Sequence, residues 1–279
     1  MIEVVGEVLV DGEAVPAEDA CVSVLDIGFQ RGFGCFEAMR AYGGTIFRLE
    51  AHLDRLAHSA SALHLPLPDR TSLIRWCTTV ANRAGDAVVR LFVSGGVDPG
   101  HPGTGSTIVV YAEHPPPSPR VLRIGSRPAP WHPDGARSEL TGAKILSYGF
   151  NLAATLAARR DGFDDALLIG RDGDVLEGPT FSVAWFHGDT LRTPSLELGI
   201  LASITRSAVL DLAAAAGLAV EEGRYTLDEV LAASEVFAMS TVKEVLPVGA
   251  VDAHRFDPGT RTARLATAFR KLVAAEIGR

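Results

Sequence analysis

The chain has 279 residues, 47% of them hydrophobic and 22% charged, with a formal net charge of −8 at pH 7. This composition is typical of a globular protein with one large or two modest domains, and it excludes a disordered chain. The negative charge argues against a nucleic-acid partner, and the lack of a long apolar run argues against a membrane-spanning chain. Three widely spaced cysteines and an N-terminus without a signal-peptide pattern predict a reduced, cytoplasmic protein with no metal site.

The first part of the chain is predicted to combine antiparallel strands with one amphipathic helix. Tight-turn signals indicate hairpins, and leucine and alanine at helical spacing indicate the helix. In chain order the predicted elements are hairpins about Asp11-Gly12 and Gly43-Gly44, a helix over 50–60, and strands over 88–94 and 107–112.

A proline run marks the predicted domain boundary. Four of the five residues 115–119 are proline, which cannot join a helix or a sheet interior and makes a stiff spacer. We therefore expect a domain of residues 1–114, a linker of residues 115–120 and a second domain of residues 121–279.

The second domain is predicted to mix hairpins with separate helices. Its predicted elements are a strand over 121–126, helices over 146–160 and 203–216, hairpins formed by 166–169 with 174–176 and by 183–186 with 191–193, a strand over 236–238 and a C-terminal amphipathic helix. Hairpins interspersed with helices, without a regular βαβ alternation, indicate the α+β class.

Lysine is rare in this chain, which has 23 arginines but only Lys144, Lys243 and Lys271. Lys144 lies between apolar neighbours, and a partly buried lysine can lose its proton and attack a carbonyl to form a Schiff base. A surface lysine in an arginine-rich composition explains it equally well.

Glu177 follows a predicted hairpin and precedes Gly178-Pro179, a rigid turn. A carboxylate buried there needs a cationic partner, and a protonated pyridine nitrogen would serve. A solvated glutamate at a hairpin end is the alternative interpretation.

Three further segments could bind a phosphate group. Ser203 is a predicted N-cap, so the N–H groups of Ile204 and Thr205 would point from a helix start. Thr241 supplies a hydroxyl after an apolar strand, and Arg55 supplies a guanidinium on the first helix. An ordinary capped helix, a strand-to-turn transition and a solvated helix face are the corresponding alternatives.

In this order, the segments resemble the class IV, or fold-type IV, aminotransferases that depend on pyridoxal 5′-phosphate (PLP). The resemblance covers nearly the whole chain, from residues 25–37 and 47–56 through the lysine and glutamate segments to 240–248. It implies a two-domain α+β fold with a small N-terminal α/β domain and a larger C-terminal β-barrel-like domain with helices. It also implies a site between the domains and a homodimer that completes it.

The resemblance implies a role for each candidate residue. Lys144 would form the Schiff base with PLP and carry the proton between substrate and cofactor, and Glu177 would hold the pyridinium. Tyr148, which shares a helical face with Lys144 if the helix already covers both residues, would approach the cofactor hydroxyl. The remaining cofactor-binding candidates are Arg55, Ile204, Thr205 and Thr241 around the phosphate, together with Thr180 and Leu201.

The substrate is less clearly indicated. Many D-amino-acid transaminases carry a carboxylate-binding arginine where this chain has Gly95, and a tyrosine where it has Phe36. We expect Phe36 to contact substrate, with Arg31 or Arg90 as the replacement for the missing arginine, although Arg90 could be structural. The sequence therefore predicts a transaminase that moves an amino group from a D-amino acid, or an (R)-primary amine, to a 2-keto acid.

Other functions stay open. Aminodeoxychorismate lyase shares the lysine segment and makes 4-aminobenzoate and pyruvate. An L-branched-chain aminotransferase is less favoured, since that pattern has Asn-Tyr where this chain has Ser147-Tyr148. A PLP-binding protein without turnover and a cofactor-free α+β domain are the remaining alternatives.

Overall fold

The computed structural model describes residues 3–132, 138–257 and 259–278. Its contacts divide the chain into two compact units, with the division between Pro117 and Ser118, inside the proline-rich segment. The first unit also takes in Ala143–Tyr148 and the segment from Ala275 onward, which the predicted domain limits had assigned to the second domain. Each unit has its own sheet and its own hydrophobic core.

The first unit is built on a six-stranded antiparallel sheet of order β2-β1-β6-β5-β3-β4. Both predicted hairpins are confirmed, since β1 pairs with β2 and β3 pairs with β4. The strands are β1 (Val8–Val10), β2 (Glu13–Val15), β3 (Gly34–Tyr42), β4 (Thr45–Ile46), β5 (Ala87–Ser94) and β6 (Ile108–Glu113), and the helices are α1 (Ile27–Arg31), α2 (Leu49–Ala62) and α3 (Arg70–Ala84).

Helices α2 and α3 cover one face of this sheet. Side chains alternate along β3, so that Cys35, Met39 and Ala41 are buried toward the helices while Phe36 and Ala38 are only half-buried. The face of the sheet that packs against the two helices forms the core of the unit. The opposite face carries half-buried side chains, such as Phe36 and Ala38 on β3.

The second unit is built on an eight-stranded sheet of order β11-β10-β9-β12-β13-β7-β8, with β14 paired to β13. Its strands are β7 (Leu122–Pro128), β8 (Asp165–Ile169), β9 (Ser182–His187), β10 (Thr190–Pro194), β11 (Ala219–Gly223), β12 (Glu235–Ser240), β13 (Glu244–Val251) and β14 (His254–Arg255). The remaining helices are α4 (Gly149–Arg160), α5 (Ile204–Ala215), α6 (Leu227–Leu231) and the C-terminal α7 (Thr260–Glu276).

The larger sheet curls back on itself. The chain after β8 turns and hydrogen-bonds to β8, with the Leu176 N–H donating to the Leu168 carbonyl over 2.9 Å. The N–H of the preceding residue, Val175, donates to the Tyr225 carbonyl, just after β11, over 2.7 Å. The segment therefore bridges the two ends of the sheet, as the barrel-like prediction required.

One predicted helix begins later than expected. The helix predicted over 146–160 starts at Gly149, because the chain just before it is extended and pairs with β3. The helix therefore covers neither Lys144 nor Tyr148, and the condition for placing these two residues on one helical face is not met.

Two general findings complete the fold. Among the residues that the structure describes, no helix combines the length and the apolar character that crossing a membrane requires. The cysteines are unbridged, with Cys35 and Cys77 buried and Cys21 exposed.

Candidate active site

Lys144 is held against the first unit by backbone hydrogen bonds. Its carbonyl accepts from the Phe36 N–H over 3.1 Å, and the Leu146 N–H donates to the Gly34 carbonyl over 2.8 Å. The Lys144 N–H in turn donates to the hydroxyl of Ser59 on α2, over 2.9 Å. The lysine is thus fixed at the edge of β3 opposite β5, as an added strand would be.

The Lys144 amine lies against aromatic rings. Its Nζ is 4.2 Å from the centroid of Phe36 and 5.6 Å from that of Tyr148, and these two rings meet edge to face at 5.4 Å. Phe36 stacks on Phe92 at 5.7 Å, and Phe92 stacks on Tyr111 at 6.0 Å. We call the four rings the aromatic wall.

Gly34 makes the close docking of the lysine segment possible. A Cβ atom at this position would lie 2.5 Å from the Val93 carbonyl oxygen and 2.6 Å from Cδ1 of Leu146. Only glycine lets β5 and the lysine segment approach β3 from both sides, so this residue positions Lys144 without touching it.

Arg55 is fixed by the buried carboxylate of Glu37, which the buried His52 also contacts. Its Nε and Nη2 donate to the two carboxylate oxygens of Glu37 over 2.7 and 2.8 Å. His52 Nδ1 lies 2.8 Å from the same carboxylate. Burial alone would raise the pKa of Glu37, but the charge of Arg55 and the hydrogen bonds from Arg55 and His52 lower it to about 2. Glu37 is therefore ionised at neutral pH.

The two arginines predicted to replace a substrate anchor lie in different surroundings. Arg90 lies on β5 directly opposite Tyr111, and its Nε donates to Glu113 over 2.8 Å. Glu113 is 5% exposed, and its second carboxylate oxygen is buried without a hydrogen-bond partner. Arg31 is the exposed last residue of α1. Arg90 already has a carboxylate partner, which favours the structural alternative considered for it.

Gly95 leaves no room for a side chain. A Cβ atom there would lie 2.5 Å from both Cγ1 of Ile27 and the carbonyl oxygen of Phe33. The arginine that many D-amino-acid transaminases carry at this position is thus excluded by the backbone around it, as well as being absent.

In the second unit, Glu177 lies at the end of the segment that closes the curled sheet. Its carbonyl accepts the Leu168 N–H over 2.9 Å, and its Oε1 accepts the backbone N–H of Leu201 over 3.2 Å. The Leu168 N–H thus fixes the backbone of Glu177, and the backbone N–H of the predicted residue Leu201 orients its carboxylate.

The start of α5 has the predicted cap. Ser203 is the N-cap, and its hydroxyl accepts the Arg206 N–H over 3.2 Å. Ile204 is the first helical residue and Thr205 is buried, so their N–H groups belong to the helix turn that has no intrahelical acceptors. This 12-residue helix has the capped N-terminus that the sequence predicts, and a helix N-terminus of this kind can bind an anion.

Thr180 and Thr241 lie in different segments of the second unit. Thr241 directly follows β12, and the Nζ of Lys243 donates to the Thr180 hydroxyl over 2.9 Å. Burial lowers the pKa of Lys243, Asp165 opposes that effect, and the charge of Arg159 adds to it. Thr180 is therefore engaged by a lysine, which sequence reasoning did not foresee.

The predicted site residues thus form two sets, one in each unit. The structure brings Lys144, Phe36 and Tyr148 together directly, and it connects Lys144 to Arg55 through Ser59, whose hydroxyl donates to the Arg55 carbonyl over 2.9 Å. The first set is Arg31, Phe36, Arg55, Arg90, Lys144 and Tyr148, and the second is Glu177, Thr180, Leu201, Ile204, Thr205 and Thr241.

Sequence reasoning missed the supporting residues Glu37, His52 and Glu113. Glu37 and Glu113 had a signal in the sequence, because a glutamate in or at the end of an apolar strand must find a partner when it is buried. His52 had a different signal, since it lies one helical turn before Arg55.

These residues fit PLP. The first set offers a primary amine beside aromatic rings and an oriented guanidinium, and the second offers an oriented carboxylate and a helix N-terminus. An aldehyde, a phosphate and a basic ring nitrogen are the three groups of the cofactor that such donors would bind.

Comparison with known proteins agrees with this fit. Residues 34–251 match the family model described as amino-transferase class IV. The chain is 30% identical to a D-alanine aminotransferase of Bacillus licheniformis, covering 97% of this chain and 98% of the relative. It is also 30% identical to a branched-chain-amino-acid aminotransferase of Pseudomonas aeruginosa (97% and 94% covered) and 27% identical to an aminodeoxychorismate lyase of Bacillus subtilis (97% and 94%).

Solved structures show the same fold. A branched-chain aminotransferase from Thermoproteus uzoniensis with norvaline superposes with a TM-score of 0.87 at 28% identity, covering 97% of this chain and 95% of the other. The PLP-bound form of a hypothetical aminotransferase from Mycobacterium tuberculosis gives a TM-score of 0.86 at 25% identity, with 98% and 99% covered.

Proposed function

Because the chain belongs to the class IV aminotransferases, which use PLP, we propose that it transfers an amino group from a D-amino acid to a 2-keto acid. The likeness to the D-alanine aminotransferase of Bacillus licheniformis supports the D-amino-acid donor. We extend the proposal to (R)-primary amines as donors. This extension rests on the aromatic wall beside Lys144, on the lack of space for a side chain at Gly95 and on the pairing of Arg90 with Glu113.

The proposed roles follow from the site geometry. PLP, when bound, supplies a carbonyl that condenses with amines and a ring that withdraws electrons. Lys144 would bind that carbonyl through Nζ and carry a proton at the same atom. Tyr148, whose ring lies 5.6 Å from that Nζ, would contact the cofactor hydroxyl. Glu177 would pair with the ring nitrogen. Arg55, Ile204, Thr205 and Thr241 would bind the phosphate, and Thr180 and Leu201 would support the second set.

The aromatic wall supports an apolar substituent on the substrate. The rings of Phe36 and Phe92 stack nearly parallel and are half-buried, so part of their surface remains accessible. Arg90, on the same face of the sheet, is bonded to Glu113 and offers little net charge to a carboxylate. A site that does not depend on a dedicated arginine can accept amines that lack a carboxylate.

A branched-chain aminotransferase is the second candidate function. The accessible aromatic surface would also suit a branched aliphatic side chain, and the relatives from Pseudomonas aeruginosa and Thermoproteus uzoniensis carry that activity in their names. The lyase remains a third possibility through the Bacillus subtilis relative.

The test is a visible absorption spectrum of the protein loaded with PLP, in separate cuvettes with D-alanine, L-leucine and aminodeoxychorismate. The proposal expects D-alanine to remove the visible band of the bound cofactor and a 2-keto acid to restore it. Loss of the band with L-leucine alone would support the branched-chain candidate, and formation of pyruvate and 4-aminobenzoate would support the lyase.

We also propose a homodimer and a cytoplasmic location. Each unit carries large apolar side chains on its surface, among them Phe29, 73% exposed, on α1, and Phe150 and Leu152, 62% and 56% exposed, on α4. Such side chains are typical of surfaces covered by a partner. Analytical ultracentrifugation should give twice the 29.5 kDa chain mass. Unbridged cysteines support a reducing compartment.

A further inference from the structure

A buried group of three residues lies behind the proposed phosphate ligand Arg55. Glu37, on β3, has a fully buried side chain, and His52, on α2, has a side chain only 1% exposed. Arg55, three residues after His52, is 10% exposed, so the group ends in a residue that reaches the surface of the unit. We call Glu37, His52 and Arg55 the buried triad.

The charge state of the buried triad follows from its surroundings. Glu37 is ionised, as its lowered pKa shows. Burial lowers the pKa of His52; the hydrogen bond and charge of Glu37 oppose this, while the positive charges of Arg55 and Lys144 add to it. A neutral His52 therefore donates its Nδ1 hydrogen to a carboxylate that can only accept. The triad carries one negative and one positive charge, each bonded.

Packing of α2 against β3 does not require the buried triad. Leu53 and Leu56, on the same helix, are already buried against the sheet. Replacing a buried ion pair by apolar side chains of similar volume is often neutral or stabilising, so packing alone does not explain a charged group here. What an ion pair provides, and a leucine does not, is a fixed direction for the guanidinium.

The geometry fixes that direction. Nε and Nη2 lie on one edge of the guanidinium plane, and each donates to a different oxygen of Glu37. Two parallel bonds prevent rotation of the plane, and His52 holds the carboxylate from a third side. An arginine side chain loses rotamer entropy when it is ordered, and here that loss occurs on folding, before any anion binds.

We propose that Glu37, held by His52, is a positioning residue that orients Arg55 to receive the phosphate of PLP. This inference rests on the proposed phosphate-binding role of Arg55. By its charge alone, the carboxylate of Glu37 would repel a phosphate. The inference is that it nevertheless favours phosphate binding, because it orients Arg55. The effect should therefore depend on Arg55 and disappear in its absence.

The experiment compares two ligands that differ only in the phosphate. The apparent dissociation constants of PLP and of pyridoxal, which lacks the phosphate, are measured by absorbance titration of the cofactor-free full-length protein. The ratio of the two constants isolates phosphate recognition, since general damage to the fold weakens both ligands. The variants are Glu37→Gln, Arg55→Gln, the double variant and His52→Asn.

Arg55→Gln should reduce the preference for PLP over pyridoxal by about tenfold or more, the worth of a charge-assisted hydrogen bond. Glu37→Gln should cause a loss of similar size, and the double variant should match Arg55→Gln alone. His52→Asn keeps the ion pair and should cause a smaller loss, which provides a readout if Glu37→Gln does not fold.

Glu113→Gln is the matched control, because it weakens a different, partly buried arginine–glutamate pair in the same sheet and should leave the preference unchanged. An unchanged preference in Glu37→Gln or His52→Asn, with a reduced one in Arg55→Gln, would overturn the positioning role and leave the proposed function intact. An unchanged preference in Arg55→Gln would overturn both the phosphate role of Arg55 and the inference built on it.

Discussion

Gly34→Ala tests whether close packing around β3 sets the position of Lys144. The added Cβ would lie 2.5 Å from the Val93 carbonyl oxygen and 2.6 Å from Cδ1 of Leu146, whereas ordinary contact begins near 3.4 Å. The leucine side chain can move, but the carbonyl belongs to the backbone of β5. Overpacking of this kind costs about 1–3 kcal/mol of unfolding free energy.

The consequence for Lys144 follows from its backbone bonds. If β3 and the lysine segment separate, the bond from the Leu146 N–H to the Gly34 carbonyl lengthens, and Nζ moves away from the Phe36 ring. A shift of roughly 1 Å in a catalytic group can cost about a hundredfold in rate. Gly34→Ala should therefore reduce transaminase activity even under conditions in which the variant is still fully folded.

The assays are urea denaturation and the rate at which the visible band of bound PLP is lost with amino donor. Gly149→Ala is the control, because a Cβ on this first residue of α4 meets nothing within 4 Å. It should keep or slightly raise stability and leave the rate unchanged. Gly34→Ala with wild-type stability and rate would refute the reasoning.

Three further predictions concern ionisable side chains. Glu37 stabilises the fold fully above about pH 4.5, and this contribution is lost as the pH falls toward about 2, so Glu37→Gln should flatten acid unfolding in that window; an unchanged slope would assign acid unfolding to other carboxylates. Arg90→Met leaves Glu113 without its partner and should lower the unfolding free energy, measured in urea, by about 3–5 kcal/mol. Adding Glu113→Gln should restore part of this loss. A raised KM for D-alanine without loss of stability would instead make Arg90 a substrate anchor. One thiol, Cys21, should react quickly with a thiol reagent and disappear in Cys21→Ser, since burial and the charge of Glu37 raise the pKa of each buried cysteine to about 12; three fast thiols would contradict the burial.

Hairpins and amphipathic helices could be predicted because turn residues and apolar spacing are local signals. The two hairpins of the first unit and the cap at Ser203 were foreseen in this way. Helix α3 was not, although Leu73, Cys77 and Ala81 lie buried at four-residue spacing, because its threonines and arginines obscure the apolar stripe. Pairing of residues 144–146 with β3, more than a hundred positions earlier, overrides the local helical pattern.

The site residues could be predicted by type but not by environment. Lys144 and Glu177 were proposed from their chemistry and their flanking residues. The buried Glu37 behind Arg55, the Glu113 beside Arg90 and the Lys243 at Thr180 depend on contacts between distant segments. No pattern within a short stretch of sequence specifies such contacts, so the partners of these ion pairs could not be predicted.

The central claim is that Lys144 binds PLP covalently, and the chain offers a direct test because it has three lysines. Borohydride reduction of the PLP-loaded protein, followed by peptide mapping, shows which lysine carries the cofactor. The account predicts the label on the peptide that contains Lys144 and no label in Lys144→Ala. A label on Lys243 or Lys271 in the wild-type protein, with Lys144 unmodified, would contradict it.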